Sequence, residues 1–447
     1  MSPKDLDRRT FVGGLAAAGA AAAIPRELHA LADRQQGQQQ KLRIACIGVG
    51  GMGFSDVRGV SGEQLVAFAD VDWRSAERAF RAYPNAKRYK DYREMLEKER
   101  NNIDAVTVST PDHVHGPAAM MALKMGKHVY CQKPLARTIG EVRALKAEAA
   151  SRPRQVTQMG NQGHSAEGIR LIREWVEAGL IGPVRRVEYW TNRPIWPQAI
   201  NRPTAAHNVP ETMDWDLWLG PAAARPFSPA YVPFNWRGWW DFGTGAMGDM
   251  ACHLMDAAYW TLGLKYPSRI TPESTLLFSE TAPASERIDY EFPAIGDRPA
   301  VTLTWRDGSL FPPRPEGWSE AEDWPFDREG GQLWYGDKGM LLAGTYGENP
   351  RLLDPQVAAQ VAATPVPRKY ARTEGVYKEW ISAIKEGKQA GSDFAGYAGP
   401  MTEMILIGCL ATRMGRTLEM DPVTGVIKNA TPPSEWVNPT FRSGLTL

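Results

Sequence analysis

Leu42-Arg43-Ile44-Ala45-Cys46-Ile47-Gly48-Val49-Gly50-Gly51-Met52-Gly53 joins a short apolar run to a glycine turn. The run Leu42 to Ile47 reads as a buried strand. The turn matches G-x-G-x-x-G, a pattern that is weak alone and strong between a strand and a helix. The glycines serve three separate ends, which are a tight turn, close approach of backbone to a pyrophosphate, and close helix–strand packing. The helix that follows offers unpaired N–H groups and a positive dipole end to phosphates. A second strand, Gln64 to Ala69, ends at Asp70, 20 residues after Gly50. An acid at that distance bonds the ribose hydroxyls of NAD. A carboxylate there repels the extra phosphate of NADP, although Arg74 leaves NADP open and Asp72 competes with Asp70 for the role. Gly48, Gly50, Gly51, Met52, Gly53 and Asp70 are therefore expected cofactor contacts. The competing reading is a glycine-rich surface turn beside an unrelated acid.

Working outward, strands and helices keep alternating. Ala105 to Val108, His128 to Cys131 and Val156 to Met159 are strand-like, while His115 to Met125 and Ile139 to Ser151 are helical. Such alternation predicts an α/β fold with a doubly wound parallel sheet. Ligands then sit at the carboxyl ends of the strands. The residues just past those ends are Thr110-Pro111-Asp112-His113, Gln132-Lys133-Pro134 and Gly160-Asn161-Gln162.

Three further stretches extend the pattern: Thr110-Pro111-Asp112-His113-Val114-His115, Gly126-Lys127-His128-Val129-Tyr130-Cys131-Gln132-Lys133-Pro134-Leu135 and Gly248-Asp249-Met250-Ala251-Cys252-His253. With the glycine turn they resemble the Gfo/Idh/MocA oxidoreductase family, which holds glucose–fructose oxidoreductase and the inositol dehydrogenases. The resemblance implies a Rossmann domain over 42–163 and an α+β domain over 164–447. It gives the second domain an open, mostly antiparallel sheet whose C-terminal part packs back on the first domain. It also implies a sugar or polyol substrate and a homo-oligomer. Lys133 takes the place of the lysine in the family's E-K-P motif, beside the nicotinamide. Gln132 stands where the family has Glu, so a charge beside the lysine is lost. Thr110, Pro111, His113, Gln132, Lys133, Trp236 and Arg237 are expected at the cofactor, with Arg237 on the pyrophosphate. Asp249 and His253 are expected to contact substrate and help proton transfer.

The chemistry also makes sense from the residues. Oxidising a hydroxyl to a carbonyl requires a base within hydrogen-bond reach of the proton. A free lysine, with its pKa near ~10.4, is a poor base at neutral pH. Burial and neighbouring positive charge correct that. Asp249 and His253 are four residues apart in an expected helix, Met247 to Leu262, and so share a face. Read without the resemblance, they are first a helix N-terminal acid and a satisfied core histidine, and the matched motif reverses that order. Asp256, one turn further on, is expected to support the helix or a neighbour.

Seven of the 16 tryptophans fall between Trp190 and Trp240, among Pro, Asn and Arg. Indoles make good core, and they also stack on the apolar faces of sugars. His115, Asn161, His164 and Arg193 are expected on the substrate side, with Tyr189 and His207 as further polar contacts. His113, His115, Asp249 and His253 form a conceivable metal set. No H-E-x-x-H accompanies them, and no metal is expected.

Upstream, Arg8-Arg9 precede an apolar run from Phe11 to Ile24 and an A-x-A pattern at Ala30-Leu31-Ala32. Charged, apolar and small-residue regions in that order describe a secretory signal. The paired arginines resemble the twin-arginine export signal. Residues 1–32 are thus expected to be a signal read by the export machinery, and 33–41 a flexible, Gln-rich tether. The expected location is the periplasm or another exported site, with no membrane span retained after processing. Removing 32 of 447 residues leaves 415, enough for two domains. A net charge of +1 gives no global attraction to nucleic acid, and none is expected as a partner. The four cysteines form no C-x-x-C pair and read as buried thiols.

An exported enzyme has no free access to cytosolic NAD. A cofactor carried inside the folded chain, and regenerated in each cycle, answers that. The expected function is an exported NAD(P)-dependent sugar or polyol oxidoreductase. A redox-neutral NAD-dependent glycoside hydrolase or lyase and a non-catalytic sugar-binding protein are the alternatives.

Overall fold

In the computed structural model, residues 40–205, 207–315, 327–442 and 447 are described. The expected signal, 1–32, and all but the last two residues of the expected tether lie outside the described residues. The chain from Leu42 onward is one unit, and it begins on the apolar run that precedes the glycine turn. Six strands form the first sheet: β1 (Arg43–Ile47), β2 (Gln64–Ala69), β3 (Lys87–Tyr89), β4 (Ala105–Val108), β5 (His128–Cys131) and β6 (Thr157–Met159). Their order is β3-β2-β1-β4-β5-β6, and every pairing is parallel. Helices cover both faces, which is why β1, β2 and β4 read as apolar runs without alternation.

Strand β3 is absent from the sequence expectation. Lys87-Arg88-Tyr89 is short and polar because it is an edge strand with exposed side chains. The helix expected from His115 runs over Asp112–Lys124 and takes Asp112 into its first turn.

One face of the sheet packs on the helices Asp112–Lys124 and Ile139–Ser151. The other packs on Met52–Gly59, Trp73–Ala82 and a helix from far along the chain, Val376–Glu386. Trp380 of that helix is fully buried, and its indole N–H donates to the Val156 carbonyl at 3.3 Å. Lys385 pairs with Glu63 at 2.6 Å. The C-terminal segment therefore belongs to the first domain's core as well as to the second domain.

The second sheet has eight strands: β7 (Val184–Thr191), β8 (Arg269–Ser274), β9 (Glu286–Phe292), β10 (Val301–Arg306), β11 (Gly330–Gly336), β12 (Gly339–Ala343), β13 (Arg351–Leu352) and β14 (Leu418–Glu419). The order is β13-β12-β11-β7-β10-β9-β8-β14. Among the described residues only the β7–β10 pair is parallel. Thus the fold is a Rossmann sheet joined to an α+β domain with a mostly antiparallel sheet.

One long-range feature holds the site in place. Helix Gly399–Met414 packs against β8, helix Ile139–Ser151 and helix Gly245–Leu254. The stretch Phe394–Met414 is apolar and long enough to cross a membrane, but most of it is buried in the fold. The helix expected over Met247–Leu262 is two, Gly245–Leu254 and Asp256–Thr261. The break is slight, since Met255 keeps helical angles of −82° and −12°. All four cysteines are buried free thiols.

Candidate active site

The glycine turn closes on β4. A Cβ on Gly53 would lie 2.1 Å from the Gly48 carbonyl oxygen, so helix and strand approach as closely as glycine allows. Gly51 caps the helix Met52–Gly59 with no side-chain bond, and its φ is +51°. The first N–H groups of that helix are left for a ligand. Asp70 braces the turn. Its Oδ2 accepts from the amides of Val49 and Gly50 at 2.9 and 3.2 Å, and its Oδ1 from Asp72 at 2.9 Å. Burial raises its pKa, against the pull of those amides. Asp72 is engaged otherwise, capping the next helix through Arg74 N–H and accepting from the Thr212 hydroxyl at 2.8 Å. Amide donors, a close backbone cradle and Asp70 all edge one cleft and fit a dinucleotide.

That cleft has a volume of about 770 Å³ and runs from the glycine turn to the second domain. At its inner end Lys133, just past β5, meets helix Gly245–Leu254. Its Nζ donates to Asp249 Oδ1 at 2.7 Å and to the Asp249 carbonyl at 3.0 Å. Arg237 Nε reaches the same Oδ1 at 3.2 Å, and its guanidinium lies 4.3 Å from the centroids of both Trp236 and Phe234. Burial opposes the Asp249 charge, but Lys133 and Arg237 outweigh it and hold the carboxyl well below the usual range. Arg237 thus sits at the Asp249 carboxylate, not on the glycine turn where the pyrophosphate contact was expected.

His253 lines the cleft one turn on, packed edge-on to Tyr346. Burial, with Lys133 adding, pushes its pKa down to about 3, so the ring is neutral. Its Nδ1 is buried without a hydrogen-bond partner. His115 also lines the cleft, with Nδ1 2.8 Å from the Pro134 carbonyl and Nε2 2.8 Å from the Thr110 carbonyl. Burial takes its pKa to about 4. Thr110, Pro111, Gln132, Arg193, Trp236 and Met52 line the same space.

Three expected contacts lie elsewhere. His113 is buried between Trp218 and Phe242, and its Nε2 is 2.9 Å from the Trp218 carbonyl. It is core because its helix starts at Asp112, which turns position 113 away from the cleft. Asn161 and His164 both turn to Asp256, at 2.9 Å each. Asp256 also accepts from the Tyr397 hydroxyl and so gathers a buried polar cluster behind the cleft. Of the two further polar candidates, Tyr189 is fully buried in the core and His207 is exposed.

Other cleft residues carry weaker marks in the sequence. Asp112 is buried in the wall, accepts from the Thr244 hydroxyl at 2.9 Å, and is pushed by burial to about 7 while Lys133 opposes. Its one signal is its place just past β4, next to the more conspicuous His113. Gln162, not Asn161, reaches the cleft. Tyr346 comes from a distant loop that no local motif marks. Among the seven clustered tryptophans, Trp196, Trp218 and Trp236 line the cleft. Trp190, Trp239 and Trp240 are core, and Trp215 stacks on Trp218 at 4.7 Å. Among the described residues no group of three metal-ligating side chains forms.

Residues 42–159 match the NAD-binding Rossmann fold of the Gfo/Idh/MocA oxidoreductase family, and 169–294 match that family's C-terminal α/β domain. A stretch of 146 residues is 30% identical to an inositol 2-dehydrogenase/D-chiro-inositol 3-dehydrogenase of Lacticaseibacillus casei, covering 32% of this chain and 42% of that one. Another, of 157 residues, is 31% identical to an alpha-N-acetylgalactosaminidase of Shewanella oneidensis, covering 32% and 34%. The chain spans less than half the length of the curated relatives it matches. Among solved structures, levoglucosan dehydrogenase in complex with NADH superimposes with a TM-score of 0.57 at 17% identity, over 86% of this chain and 100% of that one. The WlbA dehydrogenase of Bordetella pertussis gives a TM-score of 0.59 at 16% identity, over 86% and 99%. At such identities the likeness is one of fold.

Proposed function

The chain belongs to the Gfo/Idh/MocA oxidoreductase family, with its NAD-binding Rossmann domain and α/β partner domain, and on that premise we propose that it oxidises or reduces a sugar or polyol. The observation that carries the reading is the 2.7 Å contact between Lys133 and Asp249. It joins a residue past a Rossmann strand to a helix of the second domain, inside the cleft that the glycine turn enters.

When bound, NAD supplies two-electron redox chemistry at its nicotinamide ring. The chain's own residues do the rest. The amides of the glycine turn would hold the phosphate oxygens of NAD and Asp70 its ribose hydroxyls. In oxidation Lys133 Nζ, once its ammonium has released a proton to solvent, takes the proton of the reacting hydroxyl as a neutral amine, and as the ammonium it returns that proton in reduction. Asp249 fixes Nζ on that line, and Arg237 shares the carboxylate. Neutral His253 hydrogen-bonds the substrate hydroxyl beside Lys133. Trp196 and Trp236 offer apolar faces to the ring.

Arg8-Arg9, the apolar run behind them and the A-x-A pattern support export of the folded chain through the twin-arginine route. The glycine turn and Asp70 would then keep NAD in the folded chain, and a second sugar, reduced in the same cleft by the hydride taken from the first, would complete the redox cycle. The test is to purify the exported protein, identify bound nicotinamide by mass spectrometry, and follow its reduction across a sugar and polyol panel. Cofactor reduced by a sugar or polyol supports the proposal. Cleavage of an aryl glycoside with no net change in cofactor would replace it with the redox-neutral glycosidase reading, which the similarity to the Shewanella enzyme favours.

A further inference from the structure

Arg193 stands two residues past the end of β7, a central strand of the second sheet. Its backbone is pinned from both sides. Its N–H donates to the Thr191 hydroxyl at 3.3 Å, and its carbonyl accepts from Gly308 at 2.6 Å. The side chain enters the cleft that holds Lys133, Asp249 and His253. One guanidinium nitrogen bonds the neutral amide oxygen of Asn192. Among the described residues no carboxylate lies within ion-pair distance of Arg193.

The other charges at this end of the cleft are already engaged. Lys133 and Arg237 both converge on Asp249. Asp112 is the second carboxyl here, and at a pKa of about 7 it carries only part of a charge at neutral pH. His253 and His115 are uncharged there. Three cations therefore face about one and a half carboxylate charges. A neutral sugar leaves that surplus unanswered. A planar guanidinium with free donors is matched by a carboxylate or phosphate, which accepts two parallel hydrogen bonds.

We propose that Arg193 reads an anionic substituent, a carboxylate or phosphate, on the sugar that enters beside Lys133. This rests on the sugar-oxidoreductase reading for its site, but it concerns binding and is tested by binding. The ligand is a glycuronate-type acid or a sugar phosphate. Its anion sits on Arg193 and its reacting hydroxyl on Lys133.

The test measures affinity by calorimetry on the NAD-loaded protein with glucose, glucuronate and glucose 6-phosphate, in wild type and Arg193→Gln. The expected result is at least about tenfold tighter binding of one or both anions than of glucose, lost in Arg193→Gln, as one charge-assisted pair supplies. Which anion gains identifies carboxylate or phosphate. Equal affinity for all three, no binding of any, or a preference that survives Arg193→Gln overturns the proposal. So does a variant that instead loses NAD, since Arg193 would then serve the cofactor. Turnover is scored apart: an acid that binds through Arg193 without reducing NAD counts against the oxidoreductase reading and leaves the anion site standing.

Discussion

Gln132 turns its amide nitrogen onto both carboxylate oxygens of Asp56, at 2.9 and 3.0 Å. Asp56 lies on the helix after the glycine turn and also accepts from Ser109 at 2.5 Å and from Tyr377 at 2.7 Å. Three donors from three parts of the chain thus converge on one buried acid. This explains how an amide fits beside Lys133, at the position where the resemblance to the E-K-P motif leads one to expect Glu. A carboxylate at 132 would face the Asp56 carboxylate with no cation between them.

Gln132→Glu is therefore expected to destabilise the fold by on the order of 3 kcal/mol at pH 7, the cost of an uncompensated buried charge. Asp56 is already raised to about 6 by burial, against its three donors. Lowering the pH lets the two acids share a proton. The loss in Tm against wild type, read by calorimetry, should narrow at pH 5; an equal loss at both pH values would contradict the account.

The His164–Asp256 pair predicts a pH dependence of stability. Burial opposes the charged ring, but the Asp256 carboxylate outweighs it, and the net shift is upward. A raised histidine stabilises the fold in full below its unfolded value near ~6.5, and that stability is lost as pH rises through the folded value. The Tm difference between wild type and His164→Gln should be larger at pH 5.5 than at pH 9. Asp256→Ala, which strands Asn161, His164 and Tyr397 together, should cost ~3–5 kcal/mol. Neither variant faces the cleft, so KM for the sugar should hold in protein that remains folded.

Activity should titrate with Asp112 and not with His253. His253 is neutral throughout the working range because burial and Lys133 depress it to about 3. Asp112 is raised to about 7 by burial, so its charge disappears as the pH falls through that value. A limb of kcat/KM near pH 7 should persist in His253→Gln at reduced rate and vanish in Asp112→Asn. In the folded state Asp112 keeps its proton where the unfolded chain has lost it, so stability falls as pH rises from about 4 to 7. Asp112→Asn should thus gain stability relative to wild type at pH 8 and not at pH 4.

The glycine turn separates packing from conformation. Gly53→Ala places a methyl 2.1 Å from the Gly48 carbonyl and must push strand and helix apart, with loss of NAD binding. Gly51→Ala meets nothing within 4 Å, but its φ of +51° and ψ of −121° lie in a region that side chains rarely adopt, at ~1–3 kcal/mol. An NAD titration should find the second variant binding and the first not.

The parallel sheet was legible because its strands are buried on both faces and read as apolar runs. β3 was not, because an edge strand of Lys, Arg and Tyr carries no such run. Lys133, Asp249 and His253 were marked by short motifs, and the fold brings all three to one cleft. His113 and His164 show the limit. Both are histidines beside the right strands, yet a helix start and a buried aspartate decide which way they face. Arg237 was found at the correct end of the second domain but on a different partner, since sequence cannot say that Asp249 lies within 3.2 Å. Asp112 and Tyr346 depend on burial and on long-range loop placement, which no local pattern encodes.

In the proposed reaction Lys133 moves the proton of the reacting hydroxyl. Single-turnover reduction of bound NAD by an accepted sugar or polyol, compared in wild type and Lys133→Ala, measures that transfer. The expected result is a rate lower by ~10²–10⁴ with NAD affinity unchanged, the range of general base catalysis. A rate within a factor of ~2 of wild type would fall far short of that contribution and would remove Lys133 from the chemistry.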